Sequence, residues 1–250
     1  MTRLIIDGDI PLYQESFSCE EVVDWGDDLW TLHADLRQGV SKFEAWFSRL
    51  QTYLDIPDVL FCFTDSSANF RKAVLPEYKA SRVKKRKPVI YAPLKDYISG
   101  KYESIQVKGL EADDLLGILA EPQDIMVSSD KDLLTVPGLH FNPSRTERGT
   151  VQVSRYAGDY NHMRQTLSGD AVDGYKGCPG IGNKTSLKVL QGVEHDPIGM
   201  WDNVLKTYLK AGKTEDEAMA QARVAYICRP GDWDWELKEV KLWQPPREEC

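Results

Sequence analysis

The 250-residue sequence has no apolar run approaching the ~20 residues that a membrane-spanning helix requires. No membrane partner is expected. Its opening, Met1 to Asp9, offers one Arg and the short apolar run Leu4-Ile5-Ile6 before Asp7 and Asp9, which is not a secretory signal. The expected location is the cytoplasm. Five cysteines (Cys19, Cys62, Cys178, Cys228, Cys250) are an odd number without a C-x-x-C pair, and the four histidines lack metal-ligand spacing. These absences exclude a disulfide framework and a zinc or histidine metal centre. Repeats and low-complexity tracts are missing, and no Ser–His–Asp or Cys–His set is evident.

Charge, by contrast, is plentiful. Lys and Arg number 31 against 39 Asp and Glu, a net charge of −8, while 42% hydrophobic residues suffice for a sizeable core. Taken as an average, −8 argues against nucleic acid, so the placement of the charges decides.

Leu4-Ile5-Ile6 reads as a buried strand that delivers Asp7 and Asp9 at its C-terminal end. Leu36, Val40, Phe43, Trp46, Phe47, Leu50 and Leu54 form a helical stripe. Val59 to Phe63 is a second strand, ending near Asp65. Glu111 to Ala120 is helical, with Leu115, Leu116, Ile118 and Leu119 as core. Ile125-Met126-Val127 is a third strand, running into Ser129-Asp130-Lys131-Asp132. Shorter strands are expected at Ile105–Val107, Leu139–Phe141 and Val151–Val153. Strands alternating with helices predict an α/β fold with a largely parallel central sheet flanked by helices. After about Tyr156 the pattern turns helical, with helices expected at Asn183–Leu190, Lys206–Leu209 and Ala218–Ile227. The tryptophans between Trp233 and Pro246 are expected to pack on the core.

The acids fall in groups: Asp7 and Asp9; Asp65; Glu111, Asp113 and Asp114; Asp130 and Asp132; Asp170 and Asp173. Helix capping explains single Asp residues. It does not explain three strands that each end in Asp on one edge of a sheet, where like charges repel unless a cation neutralises them. All-oxygen ligands suit Mg²⁺ or Mn²⁺. A cluster of this size suggests two ions that clamp the attacking and leaving oxygens of a phosphoryl centre.

Gly109-Leu110-Glu111-Ala112-Asp113-Asp114 and Ser129-Asp130-Lys131-Asp132 resemble motifs of the metal-dependent 5′-nuclease (flap endonuclease) family. Phe63-Thr64-Asp65-Ser66, Phe70-Arg71-Lys72 and Pro76 to Arg82 resemble its strand-end acid and basic arch. Gly169-Asp170-Ala171-Val172-Asp173-Gly174, with Gly177 to Thr185, resembles its last acid pair and helix–three-turn–helix. The short arch and the Ala222–Arg229 segment look most similar to the 5′→3′ exonucleases of T7-like bacteriophages, which would place the protein in host cytoplasm.

The resemblance implies a PIN-like nuclease core over residues 1–155, with an arch at about 71–98, and a helical helix–three-turn–helix region over 156–250. It implies Asp7, Asp65, Glu111, Asp113 and Asp130 at a tighter metal site, with Asp114 reaching it through water. Asp132, Asp170 and Asp173 match a second site. Asp9 stands where the family more often has another polar residue and is not assigned. The implied reaction is 5′→3′ exonuclease cleavage of duplex DNA by a monomer, with flap endonuclease and RNase H activity on RNA–DNA hybrids.

Between Arg71 and Lys87, eight basic residues against Glu77 give a local +7. Arg71, Lys72, Lys84, Lys85, Arg86 and Lys87 are expected to contact DNA phosphates, and Tyr78 to stack on a base. Lys79 and Arg82 are expected to meet the scissile phosphate. Gly180, Gly182 and Lys184 would grip one duplex strand, with K⁺ implied in the turn.

Two other readings exist. Asp7-Gly8-Asp9 mimics the nucleophile motif of a haloacid-dehalogenase-type phosphatase, but that reading leaves Glu111-Ala112-Asp113-Asp114 and the basic tract unexplained. A catalytically inactive DNA-binding module would not require all nine acids.

Overall fold

The computed structural model describes residues 2–82 and 85–247. The chain opens with Leu4–Asp7 (β1), buried along its whole length, then Asp9–Phe17 (α1) and a hairpin of Glu20–Asp24 (β2) with Trp30–Ala34 (β3). Leu36–Leu54 (α2) is capped by Asp35, whose carboxylate accepts the Arg37 N–H. Val59–Phe63 (β4), Arg71–Val74 (α3), Tyr91–Lys101 (α4), Ser104–Gln106 (β5) and Ala112–Leu119 (α5) follow. Ile125–Val127 (β6), Gly138–Phe141 (β7) and Thr150–Val153 (β8) complete the sheet.

Its strand order is β5-β4-β1-β6-β7-β8, with every pair parallel except β7 with β8. The expected α/β class with a largely parallel central sheet is borne out. The two-residue alternation of β1 sorts its side chains into two cores. Leu4 and Ile6 join Phe61 and Phe63 against Leu12 of α1, Phe43 and Phe47 of α2, and Leu94 and Ile98 of α4. Ile5 joins Leu60, Cys62 and Met126 against Leu115 and Leu116 of α5. Glycine is required in α5: a Cβ on Gly117 would lie 2.1 Å from the Cys228 carbonyl oxygen.

Arg155–Ser168 (α6), Asn183–Val189 (α7), Pro197–Lys210 (α8) and Glu215–Ala225 (α9) close around a third core of Leu167, Met200, Trp201, Val204 and Tyr208. The chain then returns to the sheet, where Ile227, Cys228 and Trp233 complete the α5 side. Trp233–Asp234 (β9) pairs with Glu239–Val240 (β10). Trp233 and Trp243 pack as expected, whereas Trp235 is exposed. Among the described residues no helix is long and apolar enough to cross a membrane.

The expected strands match the observed ones to within a residue or so, whereas α1 and α4 have no counterpart among the expected helices and α8 runs over Pro197–Lys210 where only Lys206–Leu209 is expected. The hairpin is an element without a sequence signal: Glu20-Glu21-Val22-Val23-Asp24 does not alternate cleanly, because neither face of β2 is fully buried.

Candidate active site

Three parallel strands bring acids to one edge. β1 ends on Asp7, Asp65 lies two residues beyond β4, and Asp130 three beyond β6. Glu111 and Asp114 form a reciprocal capping box at the start of α5, which fixes Asp113 in its first turn. Asp130 caps the turn Lys131–Thr135 by accepting the Asp132 N–H at 2.9 Å. Glu111, Asp113, Asp130, Asp132 and Asp173 line one cavity together with Lys79 and Gln165.

The acids perturb one another. Burial, reinforced by Asp9 and Asp130, pushes the Asp7 carboxyl up to about 7. Burial, with Asp7 and Asp130 adding to it, raises Asp113 well above the carboxylate range. Asp132 is pushed up to about 6 by burial and then by Asp130. Glu111 goes the other way: burial would raise it, but Lys79 and Arg71 outweigh burial and bring it down to about 2. Asp7 and Asp130 are joined through Ser128, whose hydroxyl donates to Asp7 at 3.1 Å and accepts the Asp130 N–H at 3.0 Å.

Lys79 is the positive centre of the cavity. Its backbone is left-handed at φ +52°, an uncommon conformation for a residue with a side chain, and its N–H donates to the Asp173 carbonyl at 2.7 Å. Its ammonium pairs with Glu111 and lies 3.5 Å from Asp173, while Arg82 also pairs with Asp173. The base of the expected arch is thus locked to the Asp170–Asp173 turn. That turn is tight: Gly169 and Gly177 both have φ +65°, and a Cβ on either would fall within 2.6 Å of the other's backbone segment.

Several expected residues stand elsewhere. Arg71 does not face solvent or DNA; it is buried and donates to both oxygens of Asp114, to Glu111 and to the carbonyls of Val224 and Tyr226. Asp114 is fully buried in that pair and accepts the Cys228 N–H, so it is structural here and not a water-linked ligand. Tyr78 is only 3% exposed, which leaves no face for a base; its hydroxyl donates to Glu111 at 2.8 Å. Both oxygens of Asp65 are engaged, by the N–H groups of Ser67, Ala68 and Gly109 and by the Ser67 hydroxyl. Asp65 therefore holds its own loop together and, like Asp7 and Asp170, is not among the residues that line the cavity.

Within the expected arch, Lys72, Lys85 and Lys87 are exposed, and Lys84 lies outside the described residues. Arg86 is held by both oxygens of Glu20 at 2.6 Å. Residues 91–98 belong to α4, whose Leu94 and Ile98 are fully buried, so that part is core and not arch. Asp170 sits beside Lys131, 3.9 Å away, and its carboxylate accepts the N–H groups of Val172 and Asp173. Gly180, Gly182 and Lys184 are all exposed, with open space around both glycines.

Three residues outside the assigned set contribute. Ser128 bridges two strand ends. Gln165, on α6, donates to Asp132 at 2.8 Å. Asp9 accepts the Thr64 N–H, and its other oxygen is buried without a partner. Only the spacing of Gln165 within α6, facing a neighbour distant in sequence, distinguishes it, and a single sequence does not reveal that.

A family described as 5'-3' exonuclease, N-terminal resolvase-like domain, matches residues 2–152. The exonuclease of Escherichia phage T7 is 30% identical over 282 aligned positions, covering 97% of this chain and 93% of that protein. The chain belongs to the 5'-3' exonuclease family. The membership and the nuclease class expected from the ordered motifs are borne out. Solved structures of bacteriophage T5 5'-exonuclease share the fold of this family member. One, with divalent zinc bound, aligns with a TM-score of 0.57 at 15% identity, covering 90% of this chain and 93% of that one. Another, a flap endonuclease in a pseudo-enzyme–product complex with DNA and metal ions, has a TM-score of 0.57 at 13% identity, with the same coverage of 90% and 93%.

The donor set of this 5'-3' exonuclease suits a hard divalent cation. Every candidate ligand is a carboxylate, and one buried oxygen of Asp113 has no partner. Burial and mutual repulsion raise the carboxyls of Asp7 and Asp113, so a positive charge placed beside them would favour their ionised forms. Among the described residues no three His, Cys, Asp or Glu side chains stand in finished metal-ligand geometry, and Lys79 and Arg82 occupy Glu111 and Asp173 instead.

Proposed function

We propose that the protein hydrolyses phosphodiester bonds at the 5′ ends of duplex DNA as a Mg²⁺-dependent 5′→3′ exonuclease, leaving 5′-phosphates, with flap endonuclease and RNase H activity on related ends. The observation that carries this reading is the gathering of Asp113, Asp130, Asp132, Asp173 and Glu111 around one cavity beneath Lys79. Asp7, Asp113, Asp130 and Glu111 would hold one ion and Asp132, Asp170 and Asp173 a second, with Mn²⁺ able to substitute. Bound there, divalent ions supply Lewis acidity, easing deprotonation of a water near neutral pH and offsetting charge on the phosphate. Ser128 and Gln165 donate to Asp7 and Asp132 and hold those carboxylates in place.

Lys79 and Arg82 would offer their cationic groups to the scissile phosphate once the acids they hold are otherwise neutralised. Exposed Lys72, Lys85 and Lys87 supply phosphate contacts whose strength falls with salt. Gly180, Gly182 and Lys184 present backbone N–H groups and one charge to a duplex strand, with K⁺ in that turn. Residues 1–155 act as the nuclease core, 156–250 as the duplex-binding region, in a monomer.

The test is release of label from 5′-labelled duplex, 5′-flap and RNA–DNA hybrid substrates with Mg²⁺ or with EDTA. Asp130→Asn and Glu111→Gln are expected to abolish release while DNA binding persists. Undiminished cleavage by either variant would contradict the ligand assignment.

A further inference from the structure

A second cavity stands apart from the acid cavity. It has a volume of about 710 Å³ and lies between α6, the start of α8 and the segment that follows β10. That is within the range of roughly 300–1,000 Å³ in which small ligands are held. Gln165 of α6 reaches the acid cavity, whereas His162 and Asp159 of the same helix line this one, so the two sites share a helix but not an opening.

Its walls are of two kinds. Tyr156, Trp243 and Met200 offer flat or apolar surface. Arg155, Arg229 and Lys241 bring positive charge. The two acids present are already engaged. Asp159 pairs with Arg229 at 2.6 Å, and Asp232 accepts the Tyr226 hydroxyl at 2.9 Å and the Arg229 N–H at 2.8 Å. The Arg155 side chain is 83% exposed and only 4.0 Å from Asp159, at the limit of an ion pair. Among the described residues Lys241 has no ion-pair partner, and the Arg229 Nε is buried without an acceptor. The unspent polar groups are therefore donors, set beside aromatic surface. An anion joined to a planar apolar ring satisfies both halves of the site, and neither half alone does.

We propose that this cavity binds a nucleoside monophosphate, its base against Tyr156 and Trp243 and its phosphate at Arg155 and Lys241, apart from the acid cavity. Arg229 also donates to the Thr135 carbonyl at 2.7 Å. Thr135 ends the turn that carries Asp132, so the occupant would lie one residue contact from the catalytic turn.

The test is titration of the full chain in EDTA with 2′-deoxyadenosine 5′-monophosphate, followed by tryptophan fluorescence and calorimetry. Deoxyadenosine and inorganic phosphate serve as the two half-ligands. The expected result is saturable binding of the monophosphate, about tenfold tighter than either half-ligand. The Arg155→Ala/Lys241→Ala variant, altered only at exposed positions, should weaken it about tenfold while leaving deoxyadenosine unchanged. Lys79→Ala, which removes the cation of the acid cavity, should bind it as the wild type does. Absence of saturation by ~10 mM, which corresponds to almost no binding free energy, overturns the proposal. So does unaltered affinity in the double variant, or loss of binding in Lys79→Ala. That last outcome would move the ligand to the acid cavity without bearing on whether the chain cleaves DNA.

Discussion

The Arg71 guanidinium meets the Asp114 carboxylate in a two-pronged buried pair, both contacts at 2.7 Å. Each charge is removed from water, so each depends on the other. Arg71→Ala leaves Asp114 buried and unpaired and is expected to cost about 3–5 kcal/mol, read as a large fall in melting temperature. Arg71→Met/Asp114→Asn removes both charges yet keeps an acceptor for the Cys228 N–H, and should recover much of that loss. Equal losses in the single and double variants would mean the pair is not the reason for the instability.

Tyr78 separates two roles cleanly. A stacking residue tolerates Phe but not Ala; a residue that positions Glu111 by its hydroxyl does not tolerate Phe. Tyr78→Phe is therefore expected to reduce the single-turnover cleavage rate about tenfold, as for loss of a hydrogen bond to a charged group, with DNA affinity nearly unchanged. A fall in affinity at an unaltered rate would reinstate the base-stacking role.

Lys79→Ala removes the ammonium that faces Glu111 and Asp173. The expected effect is a loss of roughly a hundredfold in single-turnover rate, typical of a lost charge-stabilising group, with a much smaller change in DNA dissociation constant. Comparison of the two quantities on one 5′-labelled duplex decides it. An effect confined to affinity would remove Lys79 from the reacting phosphate.

His162 sets an acid limit. Burial, aided by Arg229, holds its ring neutral down to about 3 against an ordinary 6.5, and its Nε2 contacts the Ala222 carbonyl oxygen at 2.8 Å. As pH falls below 6.5 the unfolded chain takes up a proton that the fold refuses, so stability declines until about pH 3. His162→Gln should flatten the melting-temperature profile between pH 7 and pH 4, to be followed by circular dichroism. Parallel profiles would show that some other group governs acid unfolding.

Much of the sheet was legible because buried parallel strands are short apolar runs, and Leu4-Ile5-Ile6, Val59 to Phe63 and Ile125 to Val127 are such runs. The acids at their ends were legible for the same reason. What a one-dimensional pattern hides is direction. Asp113 and Asp114 are adjacent, yet one lines the cavity and the other caps α5 from within the core. Arg71 belongs by sequence to a basic tract, but α3 turns it inward. Gln165 and Ser128 join the site by tertiary contact alone, and the unburied hairpin of β2 and β3 leaves no periodicity to read.

The two carbonyls that Arg71 engages, those of Val224 and Tyr226, lie 153 and 155 residues further along the chain. Synthesis proceeds from the N-terminus, so the sheet and the acids at its strand ends are made before those carbonyls. Until residues 224–228 arrive, the Arg71–Asp114 pair lacks its lid and Gly117 of α5 lacks the Cys228 carbonyl it packs against. The acid cavity is therefore assembled late, by the returning chain. Val224, Ala225 and Ile227, which line the acid cavity, are the last part of its wall to be synthesised.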